Sequence, residues 1–315
     1  MVDEEQQEPF VRFEGNPIIT PADVGPKVNA IFNPGATRFQ GETLLLARTE
    51  DRSGMSNLIV ARSGDRLSGW TVESRRGLRA DPDRFEERWG VEDPRITLID
   101  DTYYVVYTGY SEGGPLICLA TTKDFDTFQR HGVLMPPEDK DAALFPVHFQ
   151  GRWALLHRPV SMQPGLSAHV WLSWSPDLRY WGDARIVLHA RRGGAWDANK
   201  VGLGPPPLQT DVGWLVCYHG VRVTASGSIY RAGLALLDLD DPCTVLARTD
   251  NWVFGPQAPY ERTGDVPGVV FPTGWVLGQD GDTLRIYYGA ADTVIGVATA
   301  SLRRLLRLVE PADPD

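Results

Sequence analysis

Residues 93–110 read DPRITLIDDTYYVVYTGY. A proline follows a short polar residue, a strand-like run Ile96–Ile99 comes next, and Asp100-Asp101 makes a tight turn into a second strand rich in Tyr and Val. Turn-forming Asp between β-branched and aromatic runs is the pattern of a β-hairpin. The same layout occurs four more times, as NPGATRFQGETLLLAR from Asn33, FPVHFQGRWALLHRP from Phe145, GPPPLQTDVGWLVCYHGV from Gly204 and FPTGWVLGQDGDTLRIYYGAAD from Phe271. The turns there are QG, QG, DVG and DGD. The repeat prolines are Pro34, Pro94, Pro146, Pro205 or Pro206, and Pro272. Their spacing is roughly 50 to 70 residues, the range of propellers and other arrays.

Each hairpin is followed by a third strand-like run: SNLIVARSGD, PLICLATTKD, AHVWLSWSPD, RAGLALLDLDD and TVIGVATASL. The first three end in the same Ser/Thr-x-Asp turn. Units of three or four strands, repeated five times, predict an all-β, five-bladed β-propeller forming one domain over residues 1–315. Helical pattern is confined to short pieces such as 300–308, which excludes the alternating helices of a TIM barrel. The proline-rich GPPP is the one candidate break between domains, and the repeat runs through it.

Composition narrows the partners. A net charge of −10 argues against nucleic acid, since a phosphate backbone needs a basic surface. No apolar run reaches the roughly 20 residues needed to cross a bilayer, so no membrane association is expected. The opening MVDEEQQEPF has neither the basic nor the apolar part of a secretory leader. Its ten or so residues are expected to be flexible or to lie at an oligomer contact. Cys118, Cys217 and Cys243 are odd in number and lack metal-ligand spacing, which suits free thiols in a reducing cytoplasm and no metal. The aromatic content of 10 Trp, 10 Tyr and 11 Phe suits stacking on sugars, but the tryptophans at 153, 171, 174, 214 and 275 lie in apolar strands and are expected mostly in the core.

A propeller brings the starts of its innermost strands to one mouth of a central channel. Polar residues at the repeat ends therefore converge there. The acidic ones are Glu92, Asp93 and Asp292, with Asp141 and Asp265 near the pattern. The basic ones are Arg48, Arg95, Lys140, Arg158, Lys200 and Arg231. Asn33, His157, His219 and Tyr230 add neutral hydrogen-bonding groups. Singly, each has a plain structural reading: an Asp-Pro-Arg is by default a turn with a local ion pair, and an Asn-Lys is by default a solvated lysine. Together, cations collected in an acidic protein point to a bound anion. No Walker or dinucleotide fingerprint occurs in a strand–turn–helix setting, so a small oxyanion such as phosphate fits better than a nucleotide.

The series NPGATRF, VEDPRIT, KDAALFP, LLHRP, NKVGLGPPP, CYHGV, YRAGLALLDLDDP, YERTGDVPGVVFPTG and YYGAADTVIGVATA, in this order from about residue 14 to 305, resembles glycoside hydrolase family 130, the β-mannoside phosphorylases. The resemblance implies a five-bladed propeller and inverting phosphorolysis: a β-mannoside and inorganic phosphate give α-mannose 1-phosphate and a freed acceptor sugar. It implies no cofactor beyond phosphate as co-substrate. Asp93 matches the general acid, whose proton passes through a hydroxyl of the mannosyl unit. Lys140, Arg158, Lys200, His219 and Tyr230 match phosphate-binding positions. Lys140 stands where the family often has Arg, which keeps the charge and loses the bidentate fork. Asn33, Arg48, Arg95 and Asp292 match sugar-binding positions, and Glu92 is expected to orient the sugar or the acid. Members of the family are often dimers or larger, so a homo-oligomer is an open expectation.

The chemistry is coherent on its own terms. Inverting hydrolysis needs an acid and a base carboxylate about 6.5–9.5 Å apart with water between them. Phosphorolysis needs one acid, because phosphate is already a nucleophile and must be held by cations. Two other readings are a β-mannosidase of the same fold, which would lack the basic residues, and a non-catalytic sugar-binding propeller, which would have no use for Lys140, Arg158 and Lys200 together. Glycosidic linkage and acceptor depend on loop geometry that the sequence does not reveal.

Overall fold

Each repeat folds into an antiparallel sheet whose strands lie side by side in chain order. The computed structural model describes residues 8–160, 166–225 and 227–309. Blade one is Val28–Phe39, Glu42–Asp51, Ser56–Ser63 and Thr71–Glu73. Blade two is Gly90–Ile99, Thr102–Ser111, Gly114–Thr122 and Gln129–Met135. Blade three is Asp139–Leu144, Trp153–Pro159, Val170–Ser175 and Gly182–Leu188. Blade four is Lys200–Leu203, Gly213–Thr224, Gly227–Leu237 and Val245–Arg248, with Leu208–Thr210 pairing beside the first strand. Blade five is Val270–Leu277, Thr283–Ala290 and Val294–Ser301.

The hairpin chemistry read from the sequence explains the turns. Gln40-Gly41 and Gln150-Gly151 have φ of 51° and 85°, and of 50° and 77°, the left-handed pair that a two-residue hairpin loop requires. The Ser/Thr-x-Asp ends repeat in three dimensions: Asp65, Asp124 and Asp177 each accept two backbone N–H groups from the residues that follow. Helices are short, namely Pro21–Val24, Pro259–Arg262 and Leu302–Arg307.

The strands alternate, and both faces are apolar. In the strand Glu42–Asp51, Leu44 and Leu46 pack toward blade two while Leu45 and Ala47 pack toward blade five. The core is accordingly divided into clusters that sit between blades: one and two, two and three, three and four, four and five, and five and one. A chain of blades in which the last also packs on the first is a closed ring, which is the five-bladed propeller. Single parallel bridges link neighbouring blades: Ser56 with Gly90 between one and two, Ala168 with Lys200 between three and four, and Tyr230 with Val269 between four and five. Of the five tryptophans expected in the core, Trp174, Trp214 and Trp275 are buried, and Trp153 and Trp171 are half-buried.

Near the axis the inner strands come close. A Cβ on Gly274 would lie 2.5 Å from the Ala36 nitrogen, so only glycine lets blade five meet blade one there.

The ring is closed by a strand that the repeat does not announce. Val11–Arg12 pairs with Thr299 and Ala298 as the outer strand of blade five. Arg12 Nε lies 2.7 Å from Glu261 Oε1, and Nη2 donates to the Gly255 carbonyl at 2.5 Å. Glu261 is fully buried and also accepts from the Tyr288 hydroxyl and from the Gln257 and Ala258 amides at 2.7–2.9 Å. Of the leading segment, residues 1–7 lie outside the described residues, while Phe10 is buried against Phe254. Because Arg12 neutralises a buried carboxylate, Arg12→Ala should lower the unfolding free energy by roughly 3–5 kcal/mol in urea titration. A loss below about 1 kcal/mol, the level of a surface ion pair, would show that this pair does not hold the ring shut.

Candidate active site

The inner strands of blades one, two and three share a backbone device. Asn33, Asp93 and Asp141 have φ of 45°, 48° and 55°. Each sits where the pairing register shifts, between Phe32 and Gly35, between Glu92 and Arg95, and between Lys140 and Ala143. Asn and Asp are the side chains that best tolerate left-handed backbone, and a bulge re-aims the residue it carries. Asp292, at the end of a blade-five strand, has φ of 49°. Such strain persists where surrounding structure imposes it, and it clusters at functional sites.

These devices bring Asp93 into a tight network. Its Oδ1 accepts from Asn33 Nδ2 at 2.9 Å and from Arg48 Nη1 at 3.2 Å. Arg48 also donates to Glu50 and Glu92 at 2.9 and 3.0 Å and stacks 4.6 Å over the Phe32 ring. Gly289 lies directly against the Asn33 amide, with no room for a side chain. Burial would raise the pKa of Asp93, but Arg48, Lys140, Arg95 and the Asn33 amide outweigh it and hold the carboxyl below the usual range. Burial dominates in the other two carboxyls: Glu92 is raised, and Asp292, also facing the charge on Asp93, is pushed up to about 6. At Asp93 the cations, not burial, decide the charge state.

Across the mouth, Asp141 gathers positive groups. Its Oδ2 accepts from Arg158 Nε and Nη2 at 2.9 and 2.6 Å and lies 3.5 Å from His219 Nε2, and its Oδ1 is 3.7 Å from Arg95 Nη2. Arg158, Lys140 and Arg95 hold its pKa far below the usual range despite complete burial. Lys140 is opposed by burial, but Asp141, Asp93 and Glu92 keep its pKa raised. Lys200, lowered by burial and by the neighbouring Arg158 and Lys140, lies opposite Val221 on the same ladder that pairs Gly202 with His219. Tyr230 closes this side, its ring 6.1 Å from that of His219 and its hydroxyl pKa raised by burial. Neither Lys140 nor Lys200 has an ion-pair or hydrogen-bond partner for its ammonium group among the described residues.

Most of the expected residues therefore meet at one mouth, and four are used differently from a ligand contact. Arg95, 1% exposed, donates to the carbonyls of Asp93, Leu203 and Gly204 at 2.7–3.1 Å. It supports the backbone under Asp93. His157 joins Asp139 and Ser173 at 2.6 and 2.9 Å. That trio has the order of an acid–base–nucleophile relay, but none of the three is more than 3% exposed, so it is a buried tie behind Lys140 and Arg158. Arg231 stacks on Trp252 at 4.1 Å, and exposed Asp265 bonds Asn29 at 2.8 Å. The residue undervalued by sequence reading is Asp141. Its signal was the Lys-Asp pair beside a repeat proline.

Asp141 Oδ1 and His219 Nδ1 are buried without a hydrogen-bond partner among the described residues. Buried polar atoms are normally satisfied, and unsatisfied ones gathered around one mouth mark a place for a polar ligand. The arrangement offers one carboxylate set in sugar-sized hydrogen-bonding company and, facing it, unpaired cations suited to a small oxyanion. Among the described residues no cluster of His, Cys, Asp and Glu could hold a metal ion.

Comparison with known proteins identifies the family and the fold. A glycoside hydrolase family 130 model, described as β-1,4-mannooligosaccharide phosphorylase, matches residues 7–311. The β-1,2-mannobiose phosphorylase of Listeria innocua is 34% identical over 95% of this chain and 98% of its own. The β-1,4-mannooligosaccharide phosphorylase of Ruminococcus albus is 33% identical over 91% and 87%. The structure of the Listeria innocua enzyme in complex with β-1,2-mannobiose superposes with a TM-score of 0.87 over 95% of this chain and 99% of that one.

The buried imidazole gives a test of the site's electrostatics. Burial, with the charges of Arg158, Arg95 and Lys140, pushes His219 down to about 3, against the pull of Asp141. The unfolded chain takes up this proton near the ordinary value of 6.5, whereas the folded one refuses it until far lower pH. The associated stability is complete above the ordinary value and drains as pH falls toward the folded one. His219→Asn removes the titration, so the stability gap between wild type and variant should shrink as pH drops from about 7 to about 4. A gap constant across that window, measured by urea unfolding, would contradict a neutral His219.

Proposed function

The chain belongs to glycoside hydrolase family 130, and on that premise we propose that it catalyses inverting phosphorolysis of β-mannosides, releasing α-mannose 1-phosphate and the acceptor sugar. The observation that carries this reading is the pairing of one ionised, hydrogen-bonded carboxylate, Asp93, with Lys140, Lys200 and Arg158 across the mouth. The mannosyl unit binds among Asn33, Arg48, Glu92 and Asp292. Phosphate binds to Lys140, Arg158 and Lys200, with His219 and Tyr230 beside it. Arg95 is a positioning residue, holding the Asp93 backbone.

In this reading a phosphate oxygen attacks the anomeric carbon from the α face while the bond to the acceptor oxygen breaks on the β face. Asp93 supplies the proton that the leaving oxygen needs, relayed by a hydroxyl of the mannosyl unit. The cations stabilise the phosphate against the oxocarbenium-like centre. The low pKa of Asp93 in the free protein is compatible with this role. A bound phosphate offsets Lys140, weakens its pull on Asp93 and moves the carboxyl toward its proton-donating state. The acid is thereby armed when the nucleophile is in place.

The relatives named above divide between β-1,2 and β-1,4 linkages at 34% and 33% identity, so both substrates belong in the assay. A water-using mannosidase has no need for the unpaired cations and is the weaker reading. A cytoplasmic setting is supported by three unpaired cysteines, of which buried Cys217 has its thiol pushed up to about 12.

With β-1,2- and β-1,4-mannobiose, mannose 1-phosphate should form only when phosphate is supplied; free mannose released equally fast without it would sink the phosphorylase reading. Asp93→Asn should lower kcat/KM by about 10²–10⁴ while circular dichroism stays native, as expected for loss of a general acid. Lys200→Ala should raise KM for phosphate about tenfold or more, the worth of a charge-assisted hydrogen bond, and shift KM for the mannoside far less. Equal changes in both constants would remove Lys200 from the phosphate site.

A further inference from the structure

Trp89 opens the strand that carries Glu92 and Asp93, yet the site described above makes no use of it. It is 47% exposed, and among the chain's 10 tryptophans no other is as open. Its backbone N–H donates to the Tyr110 carbonyl at 2.8 Å, and its indole meets the Tyr110 ring edge to face, 5.5 Å between centroids. Tyr110 is 39% exposed and lies opposite Gly90, which has no side chain to cover it. Phe85, 47% exposed, extends the patch through the 111–114 hairpin; a Cβ on Gly113 would come within 3.0 Å of its ring. The edge is polar: Arg88 stacks on Phe85 at 5.7 Å and pairs with Glu112 at 2.8 Å.

Single exposed apolar residues are ordinary, but adjoining aromatics with a charged border mark a binding surface. This one is continuous with the site. One rung inward from Gly90–Tyr110 on the same face stands the pair Glu92–Thr108, followed by Asp93. Three strand residues from Trp89 to Glu92 span roughly 10 Å. Release of a single mannosyl unit as its phosphate ester means that the inner pocket holds one sugar, so any further units of the substrate extend outward on the acceptor side.

We propose that Trp89 and Tyr110, with Phe85 beside them, form an outer subsite that stacks the C–H faces of mannosyl units beyond the bond being cleaved. The inference rests on the phosphorolysis assigned above. It makes the protein an enzyme that prefers manno-oligosaccharides over the disaccharide, with the gain residing in binding rather than in chemistry.

The test is phosphorolysis of mannobiose, mannotriose and mannotetraose by the wild type, Trp89→Ala and Trp89→Phe. In the wild type, kcat/KM should rise with chain length. In Trp89→Ala the ratio of kcat/KM for the tetrasaccharide over the disaccharide should fall about tenfold, mostly through KM, consistent with loss of one aromatic stacking contact. Trp89→Phe should restore much of the ratio. An unchanged ratio, or an equal loss on every length, would overturn the subsite while leaving the phosphorylase reading intact. Absence of phosphate-dependent turnover of any mannoside by the wild type would instead fail the functional reading and take the subsite's ligand with it. A changed sedimentation coefficient in Trp89→Ala with an unchanged ratio would make the patch a contact between copies, which also overturns the proposal.

Discussion

Cations cannot be crowded around one axis without a buried counter-charge, and Asp141 supplies it. Its carboxylate takes the Arg158 fork on one oxygen, stands beside His219, and faces Arg95 with the other. An unpaired carboxylate there would carry a desolvation cost of several kcal/mol, and removing it would leave buried guanidinium groups in the same position. Its hold on Arg95 matters further, because Arg95 clamps the carbonyl of Asp93. One buried anion thus links the backbone of the acid to the cations across the channel. Arg158 takes the close pairing with Asp141 and Arg95 takes backbone carbonyls, while Lys140 and Lys200 are left without such partners among the described residues, which is the asymmetry that an incoming anion requires.

The carboxylates separate by environment. Asp93 faces Arg48, Lys140 and Arg95 and is held low, whereas Asp292 and Glu92 are raised by burial and by the charge on Asp93 itself. Side chains on neighbouring blades therefore titrate as a group, and the proton inventory of the mouth depends on whether an anion sits against Lys140.

The fold was legible because its period is carried by chemistry that survives in one dimension: a proline within or just after each inner strand, turn residues in each hairpin, and Ser/Thr-x-Asp after the third strand of the first three blades. The convergence of Asp93, Lys140, Arg158, Lys200 and His219 followed from that topology. The ring closure was not legible, because Val11–Arg12 is too short to show alternation and its partner Glu261 lies in a segment outside the hairpins. Nor was the employment of each charge. Arg95 and Arg158 read alike as basic residues at strand ends, and only distances across blades show that Arg95 is consumed by carbonyls. Asp141 was hidden by standing next to a lysine, where a local ion pair is the simplest reading.

The Arg12–Glu261 closure also bears on how the chain reaches its native state. The first of the described strands is the one used to complete blade five, pairing residue 11 with residue 299. Nearly the whole chain must be in place before that pairing can form, and contacts of such sequence separation are slow to make. Until they do, blade five has an open edge with unpaired backbone groups, the kind of edge that invites another chain. Exposure to aggregation is thus concentrated in the interval between formation of the blade-five hairpins and the docking of Val11–Arg12 on them. A circular permutant that starts after blade one's connection to blade five, and so makes every strand of blade five contiguous, would shorten that interval without altering a single residue of the mouth.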